Sequence, residues 1–462
     1  MKKNIIVKQI ETLYILLSII ILICTYFNLI TNYNENMYIL VFTFAYICLM
    51  TLFYKNISIY QIFLLGYFLF LLGRIVLDVF GADVDMRILR LYQRGYMSSG
   101  LANETIKVLL VFLIGTSYAW LMLNKKKRNI GFDSHFTKPS FNKVIEKLFY
   151  IFIILFIIKM GFVFREVLKH GYVSIFTGEA FAKTPFILSG AAKISEALFI
   201  VLMFFNRDKK SFKKYCGLIL LAGFVKLFSG QRAYAFITLL YVLFLWSTYY
   251  KEIRFSNIKL ICATILAPII IQQIANFRWH SHYQYSDNIY VRVIRSQSVS
   301  MEVVADVILL KDKFTNKIPF FLGYISDLFQ KEPKGQVIED IKTGNYLGEH
   351  LTYTLNQRAF FAGRGTGTSI VAEGYELVNG NLLLLSIFGF VVAYLGIYLA
   401  NNMYKNIYIY ALAYCYLTNF IFSPRDSILK GIPEFCFYVL VCFMVRACMG
   451  IFRGKALTYN QL

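Results

Sequence analysis

The sequence predicts an all-α polytopic membrane protein, with about twelve transmembrane helices and one large external loop that contains short amphipathic helices. Three observations predict it. Hydrophobic residues make up 58% of the 462 residues and charged residues only 16%, more apolar surface than one soluble core would hide. Apolar runs of about 17 residues or more recur along the chain, long enough to cross a hydrocarbon layer as helices. The runs are continuous, whereas the strands of a membrane barrel alternate apolar and polar residues over about ten positions.

Taken in order, the spans are 11–30, 37–54, 57–79, 106–123, 144–164, 186–205, 215–229, 232–250, 257–276, 382–400, 404–421 and 432–449. The apolar stretch Leu13 to Leu29 is too long for the core of a cleavable signal and no small-x-small site follows it, so it reads as the first span. Basic clusters at Lys2, Lys3 and Lys8, at Lys125 to Arg128, and at Arg207, Lys209, Lys210, Lys213 and Lys214 occupy alternate short connectors. By the positive-inside rule both termini are cytoplasmic, and connectors 31–36, 80–105, 165–185, 230–231, 277–381 and 422–431 lie outside. The formal charge of +22 therefore reports topology, and no nucleic-acid partner is expected. All eight cysteines sit in or at the ends of apolar runs, which makes them packing residues rather than reporters of a redox compartment. No internal repeat supports a transporter built from inverted halves. The chain thus divides into a membrane bundle at 1–276, an external loop at 277–381 and a second membrane segment at 382–462.

A loop of that length inside a compact protein is either functional or disordered, and this one has pattern. Ser296 to Leu310 spaces Met301, Val304, Val307 and Ile308 as a helix does. Pro319 to Phe329 places Phe320, Phe321, Tyr324, Ile325 and Leu328 so that a helix would lie on a membrane surface. The loop carries as many acidic as basic residues, which suits a cap over the bundle.

Ionisable residues inside the bilayer are expensive and mark function by default. Here they gather at the outer ends of spans: Arg74, Asp78, Lys159, Lys193, Glu196, Lys226, Arg232, Arg278 and Arg425. Local neutralisation is the competing reading. Arg74 with Asp78 is an i, i+4 pair, Lys193 with Glu196 is an i, i+3 pair, and Lys159 is near enough to a helix end to snorkel. Seven cations against two acids point instead to a water-accessible site for a polyanion. Lys226 and Arg232 bracket the turn Phe228-Ser229-Gly230-Gln231, where glycine lets backbone approach a ligand closely. Guanidinium groups bind phosphate oxygens in planar, bidentate fashion. The anion-binding candidates are therefore Arg232, Arg278, Arg358, Arg364, Arg425, Lys193 and Lys226. Gly363, Gly365 and Gly367 flank Arg364 and Thr366 in a turn able to aim backbone N–H groups at an anion, although it is no Walker motif. For acid–base chemistry the loop offers Glu302, Asp306, Glu349, His350 and Glu373. Glu373 and His350, next to the basic segment, are the best candidates. Trp279-His280-Ser281-His282 lacks a third ligand in reach, so no metal is expected. No cofactor is expected either.

Gly230-Gln231-Arg232 opening a span, the large external loop, and the glycine-rich segment running into Ser369-Ile370-Val371-Ala372-Glu373-Gly374-Tyr375 before a last apolar stretch together resemble the O-antigen polymerase (Wzy-type) repeat-unit polymerases. The resemblance spans the whole chain. The Arg-to-Gly spacing of eleven that some members carry in their external loops is absent at Arg278, Arg358 and Arg364. The resemblance implies a membrane glycosyltransferase of surface-polysaccharide synthesis in a bacterial inner membrane. Its substrates would be undecaprenyl-pyrophosphate-linked oligosaccharides, as donor and as acceptor, met at the periplasmic face, with a chain-length regulator and a flippase as partners. Loop arginines would hold the pyrophosphates, and a carboxylate or histidine would activate the acceptor hydroxyl. Two other classes stay open. A lipid-linked oligosaccharide flippase would place charges along the whole path across the bilayer and needs no such loop. An O-antigen ligase uses the same donor with a different acceptor.

Overall fold

The computed structural model describes residues 2–53, 57–82, 85–89, 95–123, 139–171, 174, 184–185, 188, 190–206, 208–228, 232–249, 288–314, 318–326, 338, 341 and 345–459. In chain order the elements are α1 (Lys2–Tyr26), α2 (Tyr33–Leu52), α3 (Ile59–Tyr67), a π-helical turn (Phe68–Leu72), α4 (Gly73–Val79), β1 (Ile88–Leu89), β2 (Gly95–Tyr96), α5 (Ser99–Leu123) and α6 (Pro139–His170). They continue with α7 (Ala191–Phe205), α8 (Lys209–Phe228), α9 (Arg232–Tyr249), α10 (Ile289–Gln297), α11 (Ser300–Leu310), α12 (Gly323–Ser326), α13 (Leu347–Leu355) and α14 (Gln357–Phe361). The last are α15 (Ile370–Leu377), α16 (Leu382–Asn402), α17 (Ile407–Phe422) and α18 (Ile432–Tyr459).

Among the described residues, seven helices are long and apolar enough to cross a membrane: Val7–Tyr26, Tyr33–Leu52, Ile59–Val79, Ser99–Leu123, Lys143–His170, Leu382–Asn402 and Ile428–Cys448. Each coincides with a span expected from the sequence. Helices α7, α8, α9 and α17 occupy four more of the expected positions, while the expected span 257–276 lies outside the described residues. Among the described residues, one feature departs from an all-helical chain. In the connector after α4, β1 and β2 form a two-residue antiparallel ladder, Ile88 opposite Tyr96 and Leu89 opposite Gly95.

The residues divide into two compact units. The first comprises Met1–Lys126, Phe244–Tyr398 and Asn419–Leu429; the second comprises Lys127–Leu243, Leu399–Thr418 and Lys430–Leu462.

The first unit is built around α5, which is buried along nearly its whole length. Small residues let backbones come together here, as they must where lipid offers no hydrophobic drive between helices. Any side chain at Gly115 would run into the Ser386 carbonyl of α16, and one at Gly389 would meet the Phe112 carbonyl at 2.7 Å. The two helices therefore touch backbone to backbone. Tyrosines on neighbouring helices use their hydroxyls on α5 as well: Tyr14 bonds Ser117 at 2.5 Å, and Tyr67 donates to the Leu109 carbonyl at 2.7 Å.

The loop helices are part of this unit. Helix α11 buries Met301, Val304 and Val307, as their spacing predicts, and also Glu302, Val303, Ala305 and Asp306. It packs between α5 and α15. The π turn ahead of α4 marks where the loop enters. A π turn breaks the regular ladder of hydrogen bonds, and the Ser298 hydroxyl lies 2.8 Å from the Leu69 carbonyl inside it. Gly73 leaves the room this needs, because a Cβ there would overlap Ser298 and Ile294. One residue further, Arg74 is sealed from solvent. Its guanidinium donates to Glu302 of α11 and to the Ile88 carbonyl of β1. The local pairing with Asp78 does not form, because Asp78 instead accepts from the Tyr33 hydroxyl at 3.3 Å and from the Met86 N–H at 3.1 Å. The stretch 319–329 forms a 3-10 turn at Phe320–Leu322 followed by the single turn α12, and its residues from 327 on lie outside the described set. Phe320 is buried against α15, and its N–H donates to Glu376 at 3.2 Å.

In the second unit α6, α7, α8 and α18 pack around an aromatic and charged cluster. Glu196 accepts hydrogen bonds from the hydroxyls of Tyr234 and Tyr438 and lies 4.0 Å from Lys226, whose ammonium sits 3.1 Å from the centre of the Tyr234 ring. Lys193 pairs with Glu434 at 3.6 Å, replacing the expected partner Glu196. A one-turn offset on a helix face is enough to bring charges close. Glu196 is nevertheless satisfied by groups that desolvate along with it, and Lys193, half exposed, turns to α18.

Removing one partner of a buried ion pair strands a charge, which destabilises by about 3–5 kcal/mol, whereas replacing both with apolar groups is often neutral. Arg74→Met is expected to lower the melting temperature of detergent-purified protein sharply, and Arg74→Met combined with Glu302→Leu to recover most of the loss. Arg74→Met protein melting at the wild-type temperature would show that the pair is not the anchor described.

Candidate active site

The expected site residues fall into two sets. His350, Arg358, Arg364, Glu373 and Arg425 belong to the first unit; Lys193, Lys226 and Arg232 belong to the second. Arg278, with His280 and His282, lies outside the described residues, as does the turn 229–231. Arg232 begins α9, but its side chain is not among those described.

In the first unit α13, α14, the glycine-rich segment 363–369, α15 and the turn 423–427 form one packed assembly. Asn356 starts α14 by accepting from the Ala359 N–H at 2.9 Å. The helix then ends in a Schellman turn: Arg364 N–H reaches back to the Ala359 carbonyl at 3.0 Å and Gly363 N–H to Phe360 at 2.9 Å. Gly363 supplies the left-handed conformation this requires, at φ 72°. Those two N–H groups and that of Thr366, which donates to the Thr352 hydroxyl at 2.9 Å, are consumed within the fold. The segment is therefore a helix cap docked on α13, not an anion-binding nest formed by those amides. Docking is close, since a Cβ on Gly348 of α13 would lie 2.8 Å from the Gly367 carbonyl. What the cap does present is side chains, because Arg358 and Arg364 are both exposed.

Ser369 caps α15 by accepting from the Val371 N–H at 3.3 Å, and the Ile370 N–H donates to the Ser423 carbonyl at 2.9 Å. Glu373 follows, 1% exposed. Its Oε1 accepts from the Thr368 hydroxyl at 3.0 Å and its Oε2 from the Ser427 hydroxyl at 2.9 Å. Burial pushes this carboxyl up to about 8, with the two hydroxyls pulling the other way. Arg425, two residues before Ser427, reaches the Gln297 side-chain oxygen at 3.0 Å, and its guanidinium stands 5.4 Å from the Phe70 ring centre. His350 is half-buried on α13, its ring 5.0 Å from that of Phe320. A second buried acid, Asp306, is 1% exposed and is also raised to about 8, by burial and by the neighbouring Glu302 charge. Its Oδ2 meets no hydrogen-bond partner among the described residues.

The sequence reading did not single out Thr368, Ser427 or Gln297. Thr368 is five residues from Glu373 and open to suspicion on spacing alone, but Ser427 is 54 residues away and only the fold brings it in.

In the unfolded chain a glutamate of this kind releases its proton near pH 4.5, while Glu373 in the fold keeps it to about 8. Between those values the folded state binds the extra proton, so stability is highest at the acid end and falls as pH rises through the window. Asp306 adds a dependence of the same sign. The melting temperature is expected to decline from about pH 5 to about pH 9, more gently in Glu373→Gln than in wild type; equal slopes would contradict the burial of this carboxyl.

Comparison with known proteins adds one match. No curated protein and no solved structure matches the chain. The family model of the O-antigen polysaccharide polymerase Wzy matches residues 10–452, from α1 to α18 and through both units. The chain belongs to the Wzy O-antigen polysaccharide polymerase family.

Proposed function

We propose that this polymerase transfers a growing glycan from undecaprenyl pyrophosphate to the terminal sugar of another lipid-linked repeat unit, at the outer face of the bacterial inner membrane. In this reading the chain crosses the membrane twelve times with both termini cytoplasmic and 277–381 on the periplasmic side, and it works with a flippase that delivers the units and a regulator of chain length. An acceptor hydroxyl attacks the anomeric carbon of the donor, the C–O bond to pyrophosphate breaks, and the hydroxyl proton passes to a base as the lipid pyrophosphate leaves. Family membership supports the polymer as product. The observation that carries the site is the pair of exposed arginines, Arg358 and Arg364, on either side of the α14 cap.

Fixed guanidinium groups stabilise charge that develops on a leaving pyrophosphate without reorganising at the moment of reaction. Arg425 is drawn to Gln297 and Phe70, which suits it to orient one edge of the site. Lys193 and Lys226 face Glu434 and Glu196, so their charge towards a ligand is partly offset. Arg232 and Arg278 are further anion-binding candidates in this proposal. Of the two candidate bases, half-buried His350 is better suited to meet a sugar hydroxyl than Glu373, which is shut away from solvent.

Purified protein supplied with a synthetic undecaprenyl-pyrophosphate-linked repeat unit tests this. Arg358→Ala with Arg364→Ala is expected to lower kcat/KM for chain growth by about 10²–10³, and His350→Ala to lower kcat by about 10²–10⁴. Polymer ladders of wild-type length and rate from the double arginine variant, at equal protein level, would end the proposal.

A further inference from the structure

Glu373 sits where three stretches of chain converge. Its own helix α15, capped by Ser369, follows directly on the segment that carries Arg364 and Thr368. The turn carrying Arg425 and Ser427 arrives from the other side of α16 and α17 in sequence. Both oxygens of the carboxyl are used, one by each of those neighbours, at 3.0 and 2.9 Å. The backbone repeats the connection beside it, through the Ile370 N–H on the Ser423 carbonyl at 2.9 Å. Gly367, at φ 75°, turns the chain past the second stretch, where a Cβ would stand in ordinary contact with the Arg425 carbonyl at 3.9 Å.

We propose that Glu373 is a positioning residue: its buried carboxyl, held between the Thr368 and Ser427 hydroxyls, fastens the glycine-rich segment bearing Arg364 to the turn bearing Arg425. This rests on the reading that Arg364 binds the substrate pyrophosphate. Glu373 itself touches no substrate.

The chemistry separates this role from that of a base. A base must present a carboxylate lone pair to the acceptor hydroxyl, and Glu373, 1% exposed, has both oxygens turned to hydroxyls inside the protein. A clasp needs only one acceptor and one further polar group at those two positions. In the neutral acid, the carbonyl oxygen accepts from one hydroxyl and the O–H donates to the other, and burial favours this form. Glutamine has the same shape and the same complement, a carbonyl that accepts and an NH2 that donates. It would keep the clasp while abolishing any base. Alanine would abolish both and leave two buried hydroxyls unpaired.

The experiment uses the full-length protein in detergent or nanodiscs with the synthetic undecaprenyl-pyrophosphate-linked repeat unit. Glu373→Gln is expected to stay within about threefold of wild type in kcat and KM, as a hydrogen-bonding isostere should. Glu373→Ala, and Thr368→Val with Ser427→Ala, are expected to raise KM for the lipid-linked unit about ten- to a hundredfold, the scale set by a small misplacement of a binding group, with a smaller effect on kcat. Hydrogen exchange of the 363–369 amides should rise in the same two variants and not in Glu373→Gln. Glu373→Gln as inactive as Glu373→Ala would overturn the proposal in favour of a base, and so would wild-type KM and exchange in Glu373→Ala. Should Glu373→Ala fail to fold, the single hydroxyl variants carry the same comparison. An Arg364→Ala control with unaltered KM would sink the pyrophosphate reading by itself, while the exchange measurement would still decide for or against the clasp.

Discussion

A guanidinium sealed from water at the end of a membrane helix has to meet a carboxylate, and Arg74 meets one 228 residues further along the chain. Neither side chain has any exposure. Such a pair adds little net stability, because the desolvation of both ions offsets most of their attraction. Its power lies in selection, since any packing that separates the two leaves a charge in a medium that cannot solvate it. Helix α11 is thereby confined to one place against α4, and the other contacts of the loop follow. Ser298 is set against the π turn, Gln297 is brought to Arg425, and the apolar face of α11 is laid on α5 and α15.

The membrane helices prepare that place with glycine. Gly115 and Gly389 bring α5 and α16 into backbone contact, and Gly73 opens the flank of α4 to the loop. In lipid no hydrophobic drive holds two helices together, so contact area and satisfied polar groups must do it, and close approach supplies the area. The widened turn at Phe68–Leu72 is the same accommodation in the backbone. It gives up ladder regularity where a serine from the loop is available to take the exposed carbonyl.

Much of this architecture was legible in the sequence, because a transmembrane helix is specified by about twenty consecutive residues and nothing distant. The spacing of Met301, Val304 and Val307 announced α11 for the same reason, and the described helices of the charge-balanced loop pack within the first unit. Partnership among charges was not legible. Arg74 with Asp78 and Lys193 with Glu196 were spaced for neutralisation, yet the fold gives each basic residue an acid from a distant segment, Glu302 and Glu434. Counting seven cations against two acids omitted those distant carboxylates. Sequence distance hides the ion pairs that matter most in a low dielectric, because it is their length of separation that makes them useful for assembling the fold. The site shows the same division. Arg358, Arg364 and the glycines around them could be picked out as one string, while Ser427 had no local mark at all.

The division also explains why an acid beside a basic loop need not be a catalyst. Glu373 has the composition of a base in the right neighbourhood, and sequence can say no more than that. What it can do depends on where its two oxygens point, and they point at hydroxyls inside the protein. A carboxyl so enclosed is best stabilised by keeping its proton, and a protonated acid cannot accept another. The same enclosure suits it to hold two segments in register, because hydrogen bonds shielded from water are not exchanged for solvent. Catalytic groups have the opposite requirement. In the proposed reaction Arg358, Arg364 and His350 would reach a substrate; all three keep some exposure, and buried neighbours hold their backbone still. Under the proposed function, a rigid, satisfied carboxyl beneath a cap with exposed arginines is what that requirement would produce for a large, polyanionic lipid substrate that enters, reacts and leaves many times in the growth of one chain.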